Sequence, residues 1–393
     1  MSRLGFCAAL GLAIATVNAA AQPADRTKFW KSVQRKCDET ASAEISPLAT
    51  AIAQAAKAEH KLWEGHKIDH TGRLYQFGLV ESEHLETSKE DAKLHDVGWW
   101  NVWRYWQFVM TFDEAYLKTK RIEKRTLDRL TVYSVDKGLA ATDAMLDLHE
   151  KEKTTRSLLD TIDKVDDKIL DADIKQSLKQ SVTRSFVVDN PWSAAFISYV
   201  VGRAIKAPDT ALKFFPSAEH RSYINEAFEA SKVEYNKGAT QAAYRACPIY
   251  KTRPRVGDLI CYQRERLCAG VDPMAVANRF AHGDALPKNN TTGDPEEDCV
   301  RISATHCDVV TDIDKTTNKL HSIGGNVQQS VTERRLRLAP PTLALSNNLG
   351  EKDCRRDQAK DAVPANKRCS LNNKDWFVLL QLRDGKPKVA GKN

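Results

Sequence analysis

The stretch Asp189-Asn190-Pro191-Trp192-Ser193-Ala194-Ala195-Phe196-Ile197-Ser198-Tyr199-Val200 constrains this chain most. Asp189 or Asn190 suits a helix cap, and Pro191 suits a first turn, where its missing N–H costs nothing. The small and apolar run that follows predicts a buried helix. Ser193 then falls in that helix's first turn, where backbone N–H groups lack partners and the dipole is positive. Such a place favours a side chain that must become an anion. On this stretch alone Ser193 reads instead as a serine that only helps cap the helix, because Ser is common near helix starts.

Four predicted strands lie downstream. Pro254 to Tyr262 reads as a turn feeding a strand, and Thr305 to Ile313 as another. Leu320 to Ile323 is a third, closing on Gly324-Gly325-Asn326, and Ser330 to Leu338 is a fourth. A small residue at a helix start, a His at a strand start and an Asn at the end of the next strand match the layout of a nucleophile facing a base and its orienting partner. On these segments the chain resembles the papain-like cell-wall hydrolase superfamily, which includes the NlpC-type and CHAP-type amidases and peptidases. More narrowly it is similar to an uncharacterised bacterial branch, through Trp192 to Ser198, His306 to Val310 and Ile323 to Val327. Ala58 to Trp63 and Gly78 to Ser82 extend the resemblance towards the N-terminus. It implies an α+β fold in which the helix bearing the nucleophile packs on a small antiparallel sheet, with an added helical region.

The resemblance places Ser193 where papain-like enzymes carry Cys. A thiol starts near pKa 8.5 and is readily held as thiolate, whereas a hydroxyl needs a general base during attack and an oxyanion hole to complete the work. The implied roles are Ser193 as nucleophile, His306 as base and Asn326 as the group that orients the imidazole. Trp192, His220 and Asp308 are candidates to line the groove or support the triad. The implied activity is cleavage of an amide bond in cell-wall peptide by a serine version of the site. The rival is a catalytically inactive module that binds wall peptide, glycan or a protein partner.

The N-terminus reads as a secretory signal peptide over residues 1–21: Arg3, an apolar run from Leu4 to Val17, and a small-residue cleavage site at Ala19-Ala20-Ala21. The expected location is therefore the periplasm or beyond, with no membrane span and no nucleic-acid partner. Cys37, Cys247, Cys261, Cys268, Cys299, Cys307, Cys354 and Cys369 remain after cleavage, an even set that predicts disulfides in an exported chain. Cys268 with Cys299 and Cys354 with Cys369 are guessed pairs. Cys261 and Cys307 fall in strands expected to be neighbours. No C-x-x-C pair and no paired His spacing argue for a metal, and no cofactor is implied. The formal net charge of +7 is spread along the chain, which suits an anionic wall surface.

Around the core, residues 22–110 form an N-terminal helical part, 111–186 an inserted set of two or three amphipathic helices offering a possible partner surface, 187–340 the papain-like core, and 341–393 a polar loop, a last strand from Asp375 to Leu382 and a basic tail. Residues 27–66 read as helix. His66 and His70 have the spacing of one helix face, although Asp69 and Gly72 signal a helix end. Trp99, Trp103, Trp106 and Met110 form a stripe at helical spacing, with Trp100 and Tyr105 off it; the stripe reads as core packing rather than a sugar platform. Ser217 is expected to cap the helix that carries His220. Asp258 is expected to hold its own turn. The loop from Pro287 to Pro295 is rich in Asn, Gly, Asp and Pro.

Overall fold

A computed structural model describes residues 23–82, 98–120, 140–205, 211–264, 273–282, 305–349 and 370–384. The expected signal peptide, the pairs Cys268–Cys299 and Cys354–Cys369, the Pro287–Pro295 loop and the basic tail lie outside those residues. The described chain is α+β. Its helices are α1 (Pro23–Ala41), α2 (Pro47–Leu62), α3 (Gly98–Lys120), α4 (Ala140–Lys164), α5 (Ala172–Val188), α6 (Ser193–Ile205), α7 (His220–Tyr235) and α8 (Pro273–His282). Its strands are β1 (His66–Ile68), β2 (Leu74–Gln76), β3 (Tyr244–Cys247), β4 (Leu259–Gln263), β5 (Thr305–Asp314), β6 (Lys319–Val327), β7 (Ser330–Ala339), β8 (Ala344–Leu345) and β9 (Asp375–Leu382).

The strands form one sheet in the order β2-β1-β7-β6-β5-β4-β9-β3, with β8 paired to β7. All pairings are antiparallel except β1 with β7. The last strand is therefore internal to the sheet, inserted between β4 and the edge strand β3, and it is buried along almost its whole length. Fully buried strands read as continuous apolar runs, which is how Trp376 to Leu380 reads. Helices α2 and α6 pack on β5 and β6, and α7 packs on β3. Helix α6 is buried over nearly every residue, as its apolar sequence requires.

The residues before α6 do a different job from the one expected. The Asp189 N–H bonds the carbonyl of Ser185, and the Asn190 side-chain amide bonds that of Phe186 at 3.0 Å, so both close α5. The first bond of α6 runs from Phe196 N–H to the Trp192 carbonyl. Two short helices separated by four residues leave these polar side chains nearer the orphan carbonyls behind them than the orphan N–H groups ahead. Ser217 likewise takes the Glu219 N–H just ahead of α7, whose cap position is Glu219.

His66 is not on a helix. It lies in β1, where its Nδ1 accepts the Gly78 N–H at 2.8 Å, while His60 Nε2 meets the His66 carbonyl at 3.0 Å. Both rings are satisfied within the fold. In α3 the buried face is centred on Val102, Tyr105, Trp106 and Val109 rather than on the Trp99–Trp103 line. Tyr105 Oη accepts from Trp63 Nε1 at 2.9 Å and donates to Glu59 at 2.7 Å, and its ring faces Trp192, Phe196 and Tyr199. A phenol with partners for its hydroxyl packs as deeply as an aliphatic side chain. Helices α4 and α5 pack on each other.

Two disulfides are present among the described residues. Cys261 joins Cys307 directly across β4 and β5, and Cys37 of α1 joins Cys247 of β3. They are compatible with an exported chain. No helix among the described residues is long and apolar enough to cross a membrane.

Candidate functional site

Three elements bring Ser193, His220 and His306 together. Ser193 opens α6, and the N–H groups of Ser193, Ala194 and Ala195 make no hydrogen bond among the described residues. His220 opens α7. The approach to that helix is tied to α6 by Ser198, whose Oγ both accepts the Ser217 N–H and donates to the Ser217 carbonyl, at 2.8 Å each. His306 sits near the start of β5, opposite Tyr262 of β4, and its ring centroid lies 5.0 Å from that of His220.

His220, not His306, touches the hydroxyl. His220 Nε2 lies 2.7 Å from Ser193 Oγ, and His220 Nδ1 contacts the Tyr223 hydroxyl one helical turn on. Arg264, just past the end of β4, places one guanidinium nitrogen between Ser193 and His306. Its Nη2 is 2.8 Å from Ser193 Oγ and 3.2 Å from His306 Nδ1. The far side of His306 is held by Asp308, whose Oδ1 lies 2.9 Å from Nε2. Asp308 also meets Arg334 Nε at 3.2 Å and accepts from Ser322 at 3.3 Å. The orienting place beside His306 is thus taken by Asp308, two residues along the same strand face. Asn326 has a left-handed backbone, with φ of 54°, and makes no hydrogen bond to the ring.

One assignment of protons satisfies every contact. Arg264 donates to Ser193 Oγ and to His306 Nδ1. Ser193 then donates to His220 Nε2, His220 Nδ1–H to Tyr223, and His306 Nε2–H to Asp308. Electrostatics agree with two neutral imidazoles. Burial, reinforced by His306 and Arg264, holds His220 well below the usual histidine range. Burial lowers His306 to about 4, against the opposing pull of Asp308. Despite its burial, Asp308 stays below the usual carboxylate value, held there by His306 and Arg334.

Ser193 is 2% exposed and His306 is fully buried, whereas Arg264 is exposed. Of the two side chains that touch Ser193 Oγ, His220 is buried and Arg264 is exposed. Trp192 lines no surface: it is fully buried, stacked on Trp63, with its Nε1–H donating to Glu81. Burial raises the Glu81 carboxyl above its ordinary value. Asp258 holds its turn, accepting from the N–H groups of Arg255 and Leu382, and burial pushes it up to about 7.

The glycine pair of β6 explains how closely these parts approach. A Cβ at Gly324 would lie 2.0 Å from Asp308 Oδ1 and 3.0 Å from His306 Nε2. One at Gly325 would lie 2.5 Å from Phe196 Cβ and 2.8 Å from the Trp192 ring. Arg264 and Tyr223 were missed by sequence reasoning. Tyr223 carries a readable signal, three residues beyond His220 on a helix. Arg264 carries none, because only strand pairing brings the end of β4 beside Ser193. Among the described residues no three His, Cys, Asp or Glu side chains converge as a metal site.

Residues 167–382 match a family described as "Uncharacterized protein conserved in bacteria (DUF2272)", and the chain belongs to that family. The matched span runs from just before α5 to the end of β9 and includes Ser193, His220, Arg264, His306, Asp308 and Asn326. No curated protein and no solved structure matches the chain.

Proposed function

We propose that this member of the family is an exported, serine-dependent acyl-transfer hydrolase with a papain-like core, acting on amide bonds of cell-wall peptide in the periplasm. One observation carries the reading: Ser193 Oγ, at the start of a buried helix, lies 2.7 Å from a neutral imidazole and 2.8 Å from a guanidinium. The first is a proton acceptor for the attacking hydroxyl. The second, with the unpaired N–H groups of the first turn, stabilises the negative charge that attack creates. The signal-like N-terminus and the two disulfides support export. The resemblance of the helix start, the His306 strand and the Gly-Gly-Asn segment to wall hydrolases supports the substrate.

In this mechanism Ser193 Oγ adds to the carbonyl carbon while its proton passes to His220 Nε2. The C–N bond breaks, and the imidazolium returns that proton to the departing amine. Water then adds to the serine ester, giving its proton to His220, and the acid leaves as Ser193 regains a proton. Tyr223 fixes the His220 tautomer. His306, braced by Asp308, holds Arg264 against the hydroxyl.

The test is covalent labelling with a serine-reactive phosphonate, read by intact mass, alongside release of peptides from wall sacculi. A single adduct that disappears in Ser193→Ala, with release of wall fragments, is the expected result. Saturable binding to sacculi without adduct or release identifies a binding module instead and refutes the hydrolase.

A further inference from the structure

Arg264 differs from five arginines that hold this fold together through ion pairs. Arg104 pairs with Glu59, Arg245 and Arg383 with Glu234, Arg255 with Asp384, and Arg334 with Asp308. Arg264 has no carboxylate within ion-pair distance among the described residues. A guanidinium offers five N–H donors in a fixed fork. Arg264 commits its Nη2 hydrogens to Ser193 and His306, and its Nη1 and Nε donors meet no acceptor among the described residues. The side chain is exposed, beside a Ser193 that is itself buried. Neither neighbouring imidazole offsets its charge, and the charge of Asp308 is already met by Arg334.

We infer that Arg264 selects substrates by a free C-terminal carboxylate one residue beyond the amide that Ser193 attacks, so that the enzyme removes a single terminal amino acid from a peptide. The inference rests on the acyl-transfer reading and names its substrate class. Reach supports it. Attack brings Oγ to about 3–3.5 Å from the carbonyl carbon. A carboxylate oxygen accepts from a guanidinium N–H at about 2.7–2.9 Å. Standard bond lengths put the next carbonyl carbon along the chain less than about 4 Å from the first. Because Arg264 Nη2 is itself 2.8 Å from Oγ, its remaining donors lie within reach of a carboxylate on the adjacent residue. An internal peptide carbonyl there would leave the positive charge unanswered, which is the basis for discrimination. The bonds exchanged are those of the hydrolysis above, with the terminal amino acid as the departing amine and water as the co-reactant.

The experiment compares short N-acetylated peptides as pairs, each as the free acid and as the C-terminal carboxamide, using the full-length mature protein. Products are read by mass spectrometry, and phosphonate labelling is measured in parallel. The expected result is loss of the last residue from the free acids only, with kcat/KM at least ~100-fold above the carboxamides, in line with a site built to hydrogen-bond a group its analogue lacks. Arg264→Gln is expected to abolish that preference, and Arg264→Lys, which keeps the charge but not the fork, to restore part of it. Melting temperatures of both variants check folding. Equal cleavage of acid and carboxamide overturns the proposal, as does cleavage at internal bonds. So does failure to cleave any free acid while Ser193 still labels, and in each of these cases the acyl-transfer reading survives. Loss of all Ser193-dependent labelling and cleavage removes both.

Discussion

At the residue scale the site is a line of proton donors and acceptors running from Tyr223 through His220, Ser193, Arg264 and His306 to Asp308. The order matters because only His220 can take the hydroxyl proton without first displacing Arg264. Replacing His220 with Gln is therefore expected to slow phosphonate labelling about 10²–10⁴-fold, the usual worth of a positioned base. Tyr223→Phe should cost far less, since it removes only the tautomer's anchor. If His306→Gln slowed labelling more than His220→Gln did, the assignment of the base would be reversed. The two imidazoles also make a pH prediction. Both are held below their ordinary value by burial. The unfolded chain therefore binds more protons than the folded one between an unfolded pKa near 6.5 and the folded value of about 4 for His306. Their stabilising neutrality is complete above about pH 6.5 and is lost as pH falls through that window, at about 1.4 kcal/mol per unit of displacement. Denaturant melts from pH 7 to 4 should show this slope, and His306→Gln should flatten it.

At the scale of elements, the close crossing of α6 over β6 holds the line together, and it depends on Gly324 and Gly325. Neither has an unusual backbone; what they supply is the absence of a side chain where Asp308, Phe196 and Trp192 already stand. Gly325→Ala should push α6 away from the sheet and cost about 1–3 kcal/mol, the usual penalty of overpacking. A melting curve reads that loss, and a larger drop in labelling than in stability would mark displacement of Ser193. Gly324→Ala instead strikes the Asp308 carboxylate, so its loss should appear in the acid limb of the pH profile. These contacts show what the sequence made legible. The helix of Ser193, the strands of His306 and Asn326 and the presence of the glycines were readable, because periodicity and turn chemistry are local. That Asp308 rather than Asn326 braces His306 follows from strand alternation, which puts both residues of the pair on one face. The place of Arg264 follows from the pairing of Tyr262 with His306, a long-range fact without a local signature. The capping roles of Asp189 and Asn190 went to the preceding helix for the same reason: a cap serves whichever end the tertiary fold brings nearest.

At the scale of the molecule, the N-terminal part and the matched family span are one folded unit, although the family match begins only at residue 167. Helix α2 packs on β5, and β1 extends the sheet beside β7. Trp63 stacks on Trp192, immediately before Ser193. The covalent tie between the two parts is Cys37–Cys247, which spans 210 residues and joins α1 to β3. Sequence predicted disulfides for these cysteines but could not pair them, because their distance along the chain hides their proximity. Closing a loop of that length is worth about 5 kcal/mol in the chain-entropy model, and measured values often fall short of it. The double variant Cys37→Ser/Cys247→Ser should accordingly melt below the parent, by about 2–6 °C for a stability loss of about 2–5 kcal/mol in a chain of this size. Cys261–Cys307 closes only 46 residues and lies between strands already paired, so its removal should lower the melt less while moving His306, the residue next to Cys307 in β5. Thermal melts and phosphonate labelling of the two double variants separate these effects. A long-range tie should cost stability with labelling kept at low temperature, and the cross-strand tie should cost labelling first. The opposite pattern would mean that α1 positions the site and the β4–β5 pairing does not.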